Sequence, residues 1–133
     1  MQSNHSEQSA KETEEVMHRF HDAFDRHDSA AFIELVADDC IIENTTPAPN
    51  GSLHVGKEAC LAVWQGLAAA RDTSFSREEE WFVGERAIVR WRYKWGADES
   101  QSVRGVNLMR VRNGRVAEAM GYVKSSPAPE GRR

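Results

Sequence analysis

Apolar side chains recur at helical spacing in Val16, Met17, Phe20 and Phe24, and this stripe predicts an amphipathic helix from about Ala10 to His27. Glu12, Glu14 and Glu15 near its start suit the helix dipole. Ser29 follows as an N-cap for a short second helix carrying Phe32, Ile33, Leu35 and Val36, which stops around Ala37-Asp38-Asp39. The period then changes. Cys40 to Asn44 is a β-branched run that predicts a strand, and the proline-broken stretch from Thr45 to Gly51 predicts a loop. Leu53 to Val55 is a second brief strand. A third helix carries Cys60, Leu61, Trp64 and Leu67 between Lys57 and Arg71.

Longer strands occupy the rest of the chain. Thr73 to Val83 turns at Gly84-Glu85 into Arg86 to Trp95, a two-residue turn that pairs Glu79 with Arg90. Gly96 to Gln101 leads into a hairpin from Val103 to Lys124, closed by Asn113-Gly114, whose residues readily supply the positive φ angles of a tight turn. Helices gathered ahead of a four-strand antiparallel meander predict an α+β domain with the sheet wrapped around the helices. The domain spans residues 11–124, between a polar, mobile start at 1–10 and a disordered tail at 125–133.

The hairpin holds the candidate chemistry. Alternation puts Asn107 in a column with Val103, Gly105, Met109 and Val111, where it is the lone polar side chain. An amide on an apolar face needs a structural partner or a ligand. Uninterrupted pairing from the Asn113-Gly114 turn sets Asn107 opposite Met120, Met109 opposite Glu118 and Gly105 opposite Tyr122. Glu118 and Tyr122 then share the face of Asn107, and burial would raise the Glu118 pKa toward a range useful for proton transfer. The alternative, which is favoured, is that Glu118 pairs structurally with an Arg or a backbone amide.

Charge and composition remove several function classes. The chain of 133 residues carries a formal charge of −4, with Lys and Arg scattered among acids, so a nucleic-acid partner is not expected. No stretch approaches the roughly 18–20 apolar residues of a membrane span. The start has no apolar signal core, which predicts a cytoplasmic protein. Cys40 and Cys60 read as buried free thiols, and no His, Asp or Cys spacing predicts a metal site. Of the histidines, His21 projects between Met17 and Phe24. With no phosphate loop, dinucleotide fingerprint or serine elbow, no cofactor is expected.

The strings AFIELVADDCIIENTTP (Ala31–Pro47), LHVGKEACLAVWQ (Leu53–Gln65) and VRGVNLMRVRNGRVAEAMGYVK (Val103–Lys124) resemble the SnoaL-like, ketosteroid-isomerase-like branch of the nuclear transport factor 2-like superfamily. The resemblance implies a cystatin-like cone: a curved antiparallel sheet around three N-terminal helices, with a pocket at the wide end and dimerisation through the outer sheet face. It implies that Asn44 stands where ketosteroid isomerases carry the proton-transferring aspartate. Phe20 and Asn107 stand where those enzymes carry the oxyanion-hole tyrosine and protonated aspartate. An amide is no general base and phenylalanine has no hydrogen to donate, so that relay is not expected here.

The expected function is binding of a small, largely apolar organic ligand by a homodimer. Asn44 and Asn107 provide the polar contacts, among walls of Phe20, Phe24, Trp64, Trp91, Tyr93, Met109 and Met120. The alternative is a cofactor-independent isomerase, cyclase or hydrolase using Glu118 with His21 or Tyr122.

Overall fold

The computed structural model describes residues 2–47 and 49–124, with side chains from residue 7 onward; the tail expectation at 125–133 lies outside the described residues. Helix α1 (Gln2–Asp25) starts well before Ala10, so the polar start continues the helix. A 3-10 turn (Ser29–Glu34) leads directly into β1 (Val36–Asn44). Ala37-Asp38-Asp39 are therefore strand rather than helix end: Val36 and Ala37 are buried while both aspartates face solvent. The backbone N–H of Val116 donates to the Leu35 carbonyl at 2.7 Å, holding the entry to β1 against the final strand. Strand β2 (Ser52–Val55) and helix α2 (Lys57–Ala69) follow. The chain then runs through β3 (Ser74–Val83), β4 (Arg86–Lys94), β5 (Ser102–Arg112) and β6 (Arg115–Val123).

The six strands form one sheet in the order β2-β1-β6-β5-β4-β3. The meander is antiparallel as expected, but β1 pairs parallel to β6, so the sheet is mixed. Both helices lie against the concave face. Met17, Phe20 and Ala23 of α1 are buried, and the Thr13 hydroxyl donates to the Gly84 carbonyl at 2.7 Å, tying α1 to the β3–β4 turn. Phe20 stacks edge-on with Phe24, Phe32 and Trp64, at ring separations of 5.2, 5.4 and 4.8 Å. These contacts lie in the range where aromatic pairs add to simple burial.

Two bulges reset the pleat. In β3 the register shifts between Arg77 and Glu79. Glu79 still pairs with Arg90 at 2.7 Å, as the turn predicts, while Glu78 bonds Arg104 at 2.9 Å on the outer face. The shift leaves both Arg77 and Glu80 turned inward on either side of these two acids.

In the β5–β6 hairpin, Asn113 and Gly114 have φ of 54° and 77°, and Val111 faces Val116 as uninterrupted pairing requires. A bulge then moves the register by one. Asn107 faces Gly121 instead of Met120, Met109 faces Ala119 instead of Glu118, and Gly105 faces Val123 instead of Tyr122. One extra residue turns every later side chain of β6 to the opposite face. The reason is electrostatic and steric. Glu118 escapes an apolar face and bonds Arg86 at 3.1 Å and Arg110 at 3.4 Å. Ala119 takes its place opposite Met109, and Gly121 stands opposite Asn107, where a Cβ would be only 3.1 Å from the Asn107 Oδ1.

Candidate functional site

Between α1, α2 and the concave face lies a cavity of about 640 Å³. Its walls are mostly aromatic and aliphatic. Phe20 and Phe24 come from α1, Val63, Trp64 and Leu67 from α2, Phe75 from β3, and Trp91 and Tyr93 from β4. The end of β1 contributes Ile42, Glu43 and Asn44, and the hairpin contributes Val103, Asn107, Ala119 and Gly121.

Eight of the residues expected at the site come together here: Phe20, His21, Phe24, Asn44, Trp64, Trp91, Tyr93 and Asn107. Four do not. Glu118 is ion-paired with Arg86 and Arg110 outside the cavity, and Tyr122 is 54% exposed on the outer face. Met120 pairs with Leu108 on that same outer face, because the hairpin bulge reverses its side. Met109 keeps the face of Asn107 but is closed into the core at 1% exposure. The catalytic expectation for Glu118 and Tyr122 therefore loses its geometry.

Glu43 and Arg77 also line the cavity, and neither was singled out from sequence. Glu43 sits where β1 ends and alternation no longer separates the two faces; Arg77 depends on the β3 arrangement. Position beside Asn44 was the one available signal for Glu43.

The two amides differ. Asn44 Oδ1 accepts the Thr45 backbone N–H at 2.9 Å, which is the local turn-forming role such a residue performs. Asn107 has no side-chain hydrogen bond among the described residues and borders the cavity. Its acceptor and two donors are available to a bound molecule.

His21 is buried at 7% exposure, with Nδ1 3.6 Å from Glu80 Oε2. Burial pushes its pKa down to about 3, reinforced by the Arg77 guanidinium and by His18, and the Glu80 contact does not offset these. The imidazole is thus neutral near pH 7, and a base this weak is poorly suited to proton abstraction there. Cys40 and Cys60 are buried free thiols as expected; the Cys60 thiol donates to the Cys40 carbonyl at 3.3 Å, and burial raises both pKa values. Among the described residues, no cluster of His, Cys, Asp and Glu could hold a metal ion, and no helix is long and apolar enough to cross a membrane.

The fold has clear relatives. The chain belongs to the SnoaL-like domain family, whose profile matches residues 17–119. A nuclear transport factor 2-like protein of unknown function from Mesorhizobium loti is 50% identical, with a TM-score of 0.81 over 87% of this chain and 93% of that one. A proposed polyketide cyclase from Sinorhizobium meliloti is 23% identical, with a TM-score of 0.67 over 81% and 94% of the two chains. A proposed ketosteroid isomerase from Kribbella flavida is 17% identical, with a TM-score of 0.73 over 90% and 82%. The last two likenesses show the fold alone. No protein of curated function matches this chain.

The histidine environment gives a pH prediction. The unfolded chain takes up a proton on His21 near its ordinary 6.5, whereas the folded protein holds it off to about 3. Between those values the unfolded state binds more protons, so stability falls as pH drops. Going from about pH 7 to pH 4 should cost about 3 kcal/mol through this one residue. His21→Gln should lose that part of the acid sensitivity in urea unfolding at the two pH values; an unchanged slope contradicts the assignment.

Proposed function

We propose that this protein binds a small, largely apolar organic ligand in the cone cavity, with a ligand carbonyl held by Asn107. One observation carries the reading: the aromatic cavity of about 640 Å³ is bordered by an amide that has no side-chain partner among the described residues. Its size and apolar character match ordinary small-molecule pockets. Asn44 is a secondary contact, since its oxygen is already engaged by Thr45. A thermal-shift screen of aromatic ketones, followed by titration using Trp64 and Trp91 fluorescence, tests this directly. Asn107→Leu should weaken the best hit about tenfold. Unchanged affinity in a folded Asn107→Leu protein removes Asn107 from the site.

A cofactor-independent isomerase or cyclase in the same cavity is the second reading. It is favoured by Glu43, a carboxylate in the cavity lining where Glu118 is not. A positioned carboxylate typically accelerates proton transfer at least about a hundredfold. Exchange of the α-protons of 2-tetralone for deuterium, followed by NMR, should then be fast with the wild type and slow with Glu43→Gln. Exchange at the buffer rate with both proteins rejects this reading.

The protein is further proposed to act as a homodimer through the outer sheet face. Trp81, Ile88, Leu108 and Tyr122 are 45%, 40%, 41% and 54% exposed there, between ion pairs. Large apolar side chains grouped on one face are the usual mark of an association surface. Light scattering should give the mass of two chains for the wild type and of one for Trp81→Lys. A wild-type monomer at micromolar concentration defeats the proposal.

A further inference from the structure

The β3 bulge creates an arrangement that the ligand-binding reading alone does not use. It turns Glu80 inward behind His21, so that Nδ1 and Glu80 Oε2 face each other at 3.6 Å. Both atoms are fully buried, and neither makes a hydrogen bond among the described residues, the separation being that of an electrostatic contact rather than a bonded one. Glu80 borders a surface groove beside Asp25 and Arg19, whereas His21 borders the cavity. The carboxylate therefore stands behind the ring and the cavity lies in front of it.

A carboxylate can only accept, so the tautomer that suits this contact carries its hydrogen on Nδ1, facing Oε2. A neutral imidazole with Nδ1–H has a bare lone pair on Nε2. That nitrogen has no hydrogen bond among the described residues, and it is the ring nitrogen turned away from Glu80. The cavity thus carries an acceptor on α1 and an amide on β5 whose NH₂ can donate.

We infer that the ligand is a hydroxy-ketone: an apolar body whose carbonyl oxygen accepts from Asn107 and whose hydroxyl donates to His21 Nε2. In this scheme Glu80 is a positioning residue, acting through the imidazole tautomer it imposes. The inference rests on the ligand-binding reading above but adds a donor requirement that the reading lacks. No proton is transferred; the hydroxyl keeps its hydrogen.

Two measurements test it. Long-range proton–nitrogen NMR of the nitrogen-15 histidine-labelled protein, without ligand, reports which ring nitrogen of His21 is protonated. The expected result is Nδ1–H in the wild type and a loss of that preference in Glu80→Met. Hydrogen on Nε2 in the wild type overturns the inference outright.

The second measurement compares 4-hydroxyacetophenone and 6-acetyl-2-naphthol with their methyl ethers, which keep the ketone and lose the donor. The better-fitting hydroxy-ketone should bind about tenfold more tightly than its ether. That ratio should fall below about twofold in Glu80→Met and in His21→Phe, while the ethers keep their affinity. Equal binding of phenol and ether to the wild type overturns this inference and leaves the ligand-binding reading standing. Failure of every aromatic ketone to bind overturns both.

Discussion

Charged side chains must stay off a dry concave face, and in this protein the sheet meets that constraint by changing the phase of its pleat. β3 carries Glu78, Glu79 and Glu80 in a row, and β6 carries Glu118 among small apolar residues. Regular alternation would put Glu118 beside Asn107 and Met109. Burying a carboxylate there without a partner costs far more than one irregular ladder step. The hairpin bulge turns Glu118 out to Arg86 and Arg110, and small residues close the inner face instead. The ion pairs themselves add little, being surface contacts. What matters is the face they leave empty.

That empty face is the cavity. Ala119 and Gly121 replace bulkier side chains opposite Met109 and Asn107, and the steric limit is tight, since a Cβ at Gly121 would press against the Asn107 oxygen. Across the cavity, α1 supplies both a wall and a polar atom. Phe20 locks the helix to Phe32 and Trp64, which holds the neighbouring His21 at the cavity edge. The same packing desolvates His21 and keeps it neutral. Stability and site character are therefore linked: the burial that holds α1 in place also sets the protonation state of the imidazole.

The β3 bulge works in the opposite sense. It admits one carboxylate, Glu80, and places it against His21 rather than against apolar carbon. Two adjacent acids point outward to arginines, and the third has an imidazole to face. At 3.6 Å this is an electrostatic contact and not a hydrogen bond. The two bulges together divide the acids of β3 and β6 between solvent and one inward contact.

Much of this protein was legible in its sequence because short-range physics dictates it. Helical spacing of Phe20 and Phe24, the turn residues Asn113 and Gly114, and the alternation around Asn107 each act within a few residues. They correctly predicted the element order and the antiparallel meander. The sequence alone also determined that Asn107 stands as an amide in an apolar column. The tertiary structure decided which side chains face it. A bulge is chosen by the energy of whole faces, so no local pattern announced that Glu118, Met120 and Tyr122 turn outward or that Glu80 turns in. The parallel pairing of β1 with β6 likewise joins segments too far apart in the chain for periodicity to relate them. Because one residue of register reverses an entire strand, the site's composition depended on contacts that form only when the sheet closes over its helices.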